Sequence, residues 1–98
     1  MYSAVIWDID PAAPNAGTVE ATAIAALDNH RTCRITAGMH IVRVASGTDF
    51  VIVAEALQGV AEAYPGVFTY ALWALPAGSA MRTNLAHDED CRREVTNA

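Results

Sequence analysis

The 98-residue sequence contains no lysine, and its six basic side chains are all arginine. Aspartate and glutamate together number eleven, so the formal net charge at pH 7 is −5. Nonspecific nucleic-acid binding depends on a broad positive surface, which an acidic chain lacks unless its arginines gather on one face. The charge balance therefore favours a protein or a small ligand as partner, and admits nucleic acid only where arginines cluster.

Cysteine is scarce, and long apolar runs are absent. Cys33 and Cys91 are too few and too far apart in sequence for a disulfide framework, so we expect reduced thiols and a cytoplasmic protein. No apolar run approaches the roughly 20 residues of a membrane helix. The first residues lack the basic and apolar regions of a signal peptide. We therefore expect no contact with membranes.

Apolar residues make up 53 % of the sequence, which is enough for one small domain with its own core. Many of these residues are alanine, which buries little surface. A chain of this composition is expected to gain stability by forming a homodimer.

The pattern of apolar residues predicts six elements. Runs rich in β-branched and aromatic residues predict four strands, at 2–9, 32–36, 39–45 and 67–75. Apolar residues at helical spacing predict two helices, one at 19–27 after an N-cap at Thr18 and one at 50–64 after a capping turn at 46–49.

The order of these elements predicts an α+β fold. With right-handed crossovers it gives a ferredoxin-like βαββαβ sandwich, an antiparallel sheet with two helices on one face. We assign residues 1–78 to this domain. Residues 79–98 are expected to form a polar C-terminal tail, either with a short extra strand near 79–82 or without order.

The first strand, residues 2–9, is apolar on both faces. Ala4 and Ile6 share one face, while Val5, Trp7 and Ile9 share the other. The helices would cover one face, and the other is too apolar to be left in water. We expect a second copy of the chain to cover it.

Asp8 follows directly after this buried run, where a carboxylate is costly unless it is paired or ligates a metal. It is the principal candidate for a metal ligand and catalytic residue. The alternative is a strand-end acid that accepts hydrogen bonds from backbone N–H groups. Asp10 precedes Pro11, an arrangement typical of a turn.

Three further groups of residues have a functional and a structural interpretation. His40 could act as a general base, or it could be a hydrogen-bonded histidine of the core or interface. The arginines could contact phosphate or carboxylate groups, or form ordinary surface charge: Arg31, Arg34 and Arg43. Three aromatic residues could stack on bases, or fill the core and the dimer interface: Trp7, Tyr70 and Trp73.

Two histidine–cysteine pairs have spacings that zinc sites use. His30 and Cys33 form half of such a site, but the folded part offers no second close pair and structural zinc needs four ligands. His87 and Cys91 are four residues apart in the tail, where a solvated segment is the favoured interpretation.

The first strand, Ala4-Val5-Ile6-Trp7-Asp8-Ile9 with the turn at Asp10-Pro11, resembles that of a known superfamily. The third strand, residues 38–44, is similar to that of its short stand-alone members. The superfamily contains the small CRISPR-associated endonuclease of spacer acquisition, a phage-defence protein, and the virulence-associated protein D ribonucleases. The resemblance implies a ferredoxin-like dimer in which two copies of Asp8 face each other and bind Mg²⁺ for phosphodiester hydrolysis. The chain differs in having Ala12-Ala13-Pro14-Asn15 where basic residues usually follow the acid.

Two functions follow from these observations. The first is a homodimeric, metal-dependent nuclease, with Asp8 on Mg²⁺ and His40 as base. Its phosphate contacts would come from Arg31, Arg34 and Arg43. The second is a non-enzymatic module that needs no cofactor and binds another protein, for example a phage or mobile-element inhibitor or an assembly adaptor. Arginines gathered around Asp8 would favour the nuclease, whereas a continuous acidic surface would favour the protein-binding module.

Overall fold

A computed structural model describes residues 2–75 of the chain. Within them the element order is βαββαβ, which confirms the α+β ferredoxin-like prediction. The bounds are β1 Tyr2–Ile9, α1 Ala16–Ala26, β2 Thr32–Thr36, β3 Met39–Arg43, α2 Gly47–Ala63 and β4 Phe68–Leu75. The predicted tail at 79–98, with His87 and Cys91, lies outside the described residues.

The four strands form one antiparallel sheet in the order β2-β3-β1-β4. β1 is therefore central, as its two apolar faces predicted, and β4 lies at an edge of this sheet. Residues directly opposite in antiparallel strands share a face, so the register assigns each side chain to one of the two faces. Ala4 lies opposite Ile41 and Trp73, and Val5 lies opposite His40 and Leu72.

The main core lies between the sheet and both helices. Val5 and Trp7 of β1 pack there with residues of the other elements, chiefly Val19, Ala23, Val42, Val53, Leu57, Val60 and Phe68. In both helices the buried residues recur at helical spacing: Val19 and Ala23 in α1, and Val53, Leu57 and Val60 in α2. We call this side of the sheet the helix face and the other side the open face.

Both helices begin earlier than the sequence predicted. α1 begins at Ala16 after Asn15, so the prediction of Thr18 as N-cap is wrong. The Ala16 N–H donates to the Ala13 carbonyl at 3.2 Å, which turns the chain before Thr18, and the Val19 N–H already donates to the Asn15 carbonyl at 3.0 Å. α2 begins at Gly47, and Ser46 caps it by accepting from the Asp49 N–H. The predicted capping turn is therefore confirmed, and the helix includes most of it.

The open face has one buried half and one exposed half. Ala4, Cys33, Ile35 and Ile41 form a small cluster and are at most 4 % exposed. On the β1–β4 half, Ile6 is 40 % exposed and Trp73 is 44 % exposed. The prediction that this face is apolar is confirmed. Its exposed large apolar side chains lie on β1 and β4.

Cys33 is disulfide-bonded. The expectation of a reduced thiol at this position is therefore wrong. That expectation relied on sequence separation, which does not determine the distance between two residues in the folded protein. Among residues 2–75, no helix is long and apolar enough to cross a membrane.

Candidate functional site

Asp8 lies at the end of β1 with its side chain on the open face, where it is exposed. Its cross-strand neighbour is Thr69 of β4, whose hydroxyl donates to the Asp8 backbone carbonyl at 3.4 Å. The carboxylate is therefore accessible, as a metal ligand must be. Asp10 accepts a hydrogen bond from the Ala12 N–H at 3.0 Å, which confirms its interpretation as a turn residue.

Asp8 lines a shallow cavity of about 210 Å³ together with Trp7, Ile9, Glu20, Ala37 and Gly38. Glu20, on the first turns of α1, also lines this cavity. The sequence analysis missed it, since a half-exposed glutamate on a helix gives no local signal. Only the fold shows that α1 begins beside the end of β1.

The structure does not bring the three candidate arginines together around Asp8. Arg43 lies opposite Tyr2, six residues from Asp8 along β1, which corresponds to about 20 Å at the rise of a strand. The Arg43 N–H donates to the Arg31 carbonyl at 2.8 Å, so these two arginines lie at the same end of the sheet. Arg34 lies on the helix face and forms an ion pair with Glu20 at 3.7 Å.

His40 is buried, at 4 % exposure, and its ring stacks on Trp7 with centroids 4.3 Å apart. Burial, together with the positive charge of Arg34, lowers its pKa from 6.5 to about 4. Its Nδ1 atom is buried without a hydrogen-bond partner. This placement favours a core histidine over a general base, because a base must reach its substrate.

The three candidate aromatic residues lie in two places. Trp7 is 8 % exposed and belongs to the core. Tyr70 is partly buried on the helix face, and its hydroxyl donates to the Gln58 side chain at 2.7 Å. Of these three aromatic residues, only Trp73 is exposed on the open face. It is therefore the one of the three that is accessible to a partner there.

Sequence reasoning also missed a histidine–aspartate pair. His30 Nε2 lies 2.6 Å from Asp49 Oδ1, and Asp49 Oδ2 accepts from the Ala45 N–H at 2.8 Å. The hydrogen bonds from Ala45 and from His30 lower the pKa of Asp49, so its carboxylate is ionised at neutral pH. With His30 held by Asp49 and Cys33 in a disulfide, these residues do not form half of a zinc site.

No protein-family model and no curated protein matches this chain. Across the described part, no group of three or more histidine, cysteine, aspartate or glutamate side chains could hold a metal ion.

Proposed function

We propose that the chain is a homodimeric protein-interaction module that associates through the exposed half of its open face. The observation that carries this proposal is a group of exposed apolar side chains on adjacent strands, which we call the β1–β4 patch: Ile6, Ala71 and Trp73. Ile6 lies opposite Ala71, and Trp73 lies at the diagonal position, within reach of an aromatic side chain.

The position of β4 supports the same proposal. This strand of eight residues lies at an edge of the sheet formed by residues 2–75, where a second strand can add to the backbone. A stable interface buries about 800 Å² on each partner, which is more than three side chains supply. A symmetric contact that combines the patch with the β4 edge offers a larger area.

Oligomeric state tests this proposal directly. We expect size-exclusion chromatography with light scattering to show a dimer at micromolar concentration, and Trp73→Glu to give a folded monomer. Ile52→Glu is the matched control, since Ile52 is 52 % exposed on α2, outside the patch. A monomeric wild type, or equal dissociation of both variants, would refute the proposal.

A second candidate is a Mg²⁺-dependent phosphodiesterase acting on RNA or DNA, as the family resemblance implies. The observation that favours it is the meeting of Asp8 and Glu20 in one cavity, because Mg²⁺ takes hard oxygen ligands and is often held by one or two carboxylates. The separation of Asp8 from Arg31 and Arg43 weighs against it, which is why we place it second.

Cleavage of single- and double-stranded RNA and DNA with Mg²⁺ or Mn²⁺ tests this second candidate. Activity that is lost in Asp8→Asn and Glu20→Gln, but kept in the exposed control Glu55→Gln, would establish the nuclease and displace the first proposal. Absence of cleavage, or equal cleavage by all variants, would remove it.

The cytoplasmic location stays a prediction. The disulfide at Cys33 weighs against it, because disulfides persist mainly in oxidising compartments.

A further inference from the structure

The open face carries a charged side chain at each end of the β1–β4 patch. Asp8 lies at the end of β1 beside Thr69, and Arg43 lies at the end of β3 beside Tyr2. By the register of the sheet, both charged side chains share the open face with Ile6, and both are exposed. Since Tyr2 and Asp8 are six residues apart in one strand, the two charges lie about 20 Å apart along the sheet.

Neither of these charges has a counter-charge in the described part of the chain. Among residues 2–75, no ion pair involves Asp8 or Arg43. Asp49 lines a cavity with Arg43, but its two carboxylate oxygens accept hydrogen bonds from His30 and from the Ala45 N–H. The open face therefore presents a negative end, an apolar middle and a positive end along its strands.

Aligned stacking of two such faces about a two-fold axis allows two orientations. If the axis runs along the strands, both copies point the same way, and each end of the face meets its own equivalent. The two Asp8 side chains then lie at one end of the interface and the two Arg43 side chains at the other. If the axis runs across the strands, the copies are antiparallel, and the Asp8 end of each copy lies over the Arg43 end of the other.

We infer that two copies of the chain associate in the antiparallel orientation, with Asp8 of each copy paired to Arg43 of the second copy. Opposite charges across an interface fix its orientation, whereas like charges placed together weaken it. Sheets packed face to face lie about 10 Å apart, a gap that a long arginine side chain can bridge to an aspartate. Both exposed charges then gain a partner that the single chain lacks.

The apolar middle of the face fits the same orientation. Trp73 lies at the level of Ala4 along the strands, and Ala71 lies at the level of Ile6. When the charged ends are paired, these two levels face each other, so Trp73 lies over Ala71 of the second copy. A large side chain thereby meets a small one, which is how packed layers interdigitate.

This inference rests on the proposed dimer and specifies its orientation. It gives Asp8 a role at the interface, where its carboxylate meets a guanidinium group instead of a metal ion. It also differs from the arrangement that the family resemblance implies, in which two copies of Asp8 face each other.

Reversal of the two charges tests the inference, with Asp8→Arg and Arg43→Asp studied alone and in an equimolar mixture. By symmetry, either reversal turns both ion pairs into like-charge contacts. We therefore expect each variant alone to dimerise more weakly than the wild type by about tenfold or more, measured by sedimentation equilibrium. In a mixed dimer, the introduced arginine meets the introduced aspartate, and the native Arg43 meets the native Asp8. We expect the mixture to regain wild-type affinity, and native mass spectrometry to show the mixed dimer as its main species.

Glu55→Arg is the matched control, because Glu55 is exposed on α2 and its reversal changes the net charge as much as Asp8→Arg does. We expect Glu55→Arg alone to dimerise as tightly as the wild type. Mixed with Arg43→Asp, it should not restore wild-type affinity.

A mixture of Asp8→Arg and Arg43→Asp that binds no more tightly than its components would overturn the inference. Equal rescue by Glu55→Arg would overturn it too, and so would tighter dimerisation of Asp8→Asn, which two facing Asp8 side chains predict. In these cases a dimeric wild type that Trp73→Glu dissociates leaves the proposed function standing. A monomeric wild type refutes the proposed function itself, and this inference with it.

Discussion

Gly38 lies in the turn between β2 and β3. We expect Gly38→Ala to destabilise the fold, whereas Gly59→Ala, inside α2, should stabilise it. A Cβ atom built on Gly38 would lie 2.6 Å from the Trp7 backbone oxygen, whereas ordinary van der Waals contacts begin near 3.4 Å. The obstacle is backbone of the central strand, which cannot rotate away as a flexible side chain can. Gly38→Ala must therefore push the turn and β1 apart by several tenths of an ångström.

The cost of this displacement follows from what Trp7 contacts. The Trp7 N–H donates to the Gly38 carbonyl at 2.9 Å, and a weakened hydrogen bond costs about 1 kcal/mol. The Trp7 ring packs in the core against His40 and Phe68, and overpacking such a region costs about 1–3 kcal/mol. Alanine returns about 0.4–1 kcal/mol by restricting the unfolded chain. We expect a net loss of about 2 kcal/mol in the free energy of unfolding.

Gly59→Ala provides the control. Gly59 lies inside α2, and apart from its chain neighbours and the backbone of its own helix, no atom of residues 2–75 lies within 4 Å of a Cβ built there. Replacing glycine by alanine inside a helix contributes about 0.5–1 kcal/mol. Urea unfolding followed by circular dichroism should move the midpoint down for Gly38→Ala and up for Gly59→Ala, with the m-value unchanged. A stable Gly38→Ala variant, or shifts of the same sign, would show that the close approach of the turn to Trp7 is not as described.

Three further predictions concern stability. Because His40 has a pKa of about 4 when folded and 6.5 when unfolded, only the unfolded chain takes up a proton between these values, and stability falls as the pH falls. The free energy of unfolding, measured with urea, should fall between pH 7 and pH 4.5 by about 2 to 3 kcal/mol more in the wild type than in His40→Phe. An equal fall in both proteins would contradict the burial of a neutral ring. Ser46→Ala should cost about 1 kcal/mol and Asn15→Ala clearly less, since only Ser46 accepts a capping hydrogen bond; equal losses would contradict the cap geometry. Cys33 should resist alkylation until a reductant is added, and reduction should lower the melting temperature by removing a bond that contributes about 2–4 kcal/mol, whereas alkylation of the untreated protein would contradict the disulfide.

Much of the fold was predictable because the signals that set it are local. The strand at 2–9 and the strand at 32–36 were predicted at their observed bounds, since each combines β-branched residues with a clear stop. The fold class was also predictable, because the element order leaves few arrangements once crossovers are right-handed. Helix starts were less predictable. Asn15 caps α1 without a side-chain hydrogen bond, so residue type alone did not identify the first turn.

The site was less predictable, because it depends on contacts between distant segments. Asp8 was found from the sequence as a carboxylate after a buried run, but its neighbour Glu20 was not, since the meeting of β1 with α1 leaves no pattern in either. His30 and Asp49 are likewise joined only by tertiary structure. Trp7 was predicted either to stack on bases or to fill the core and the dimer interface, and only the structure assigned it to the core on the helix face.

The topology also limits what Asp8 can do within one chain. Since β1 runs antiparallel to both β3 and β4, the end of β1 lies beside the start of those strands, near residues 36–39 and 67–69, and beside the start of α1. None of these segments contains an arginine, so within residues 2–75 a cation for a reaction at Asp8 would be the Glu20-bound Arg34 or a metal ion. Any other cation would come from outside the described part of the chain or from a second copy. A nuclease that draws its cations from a second copy would lose activity in Trp73→Glu as completely as in Asp8→Asn. Cleavage that survives loss of the dimer would show that one chain supplies the whole site.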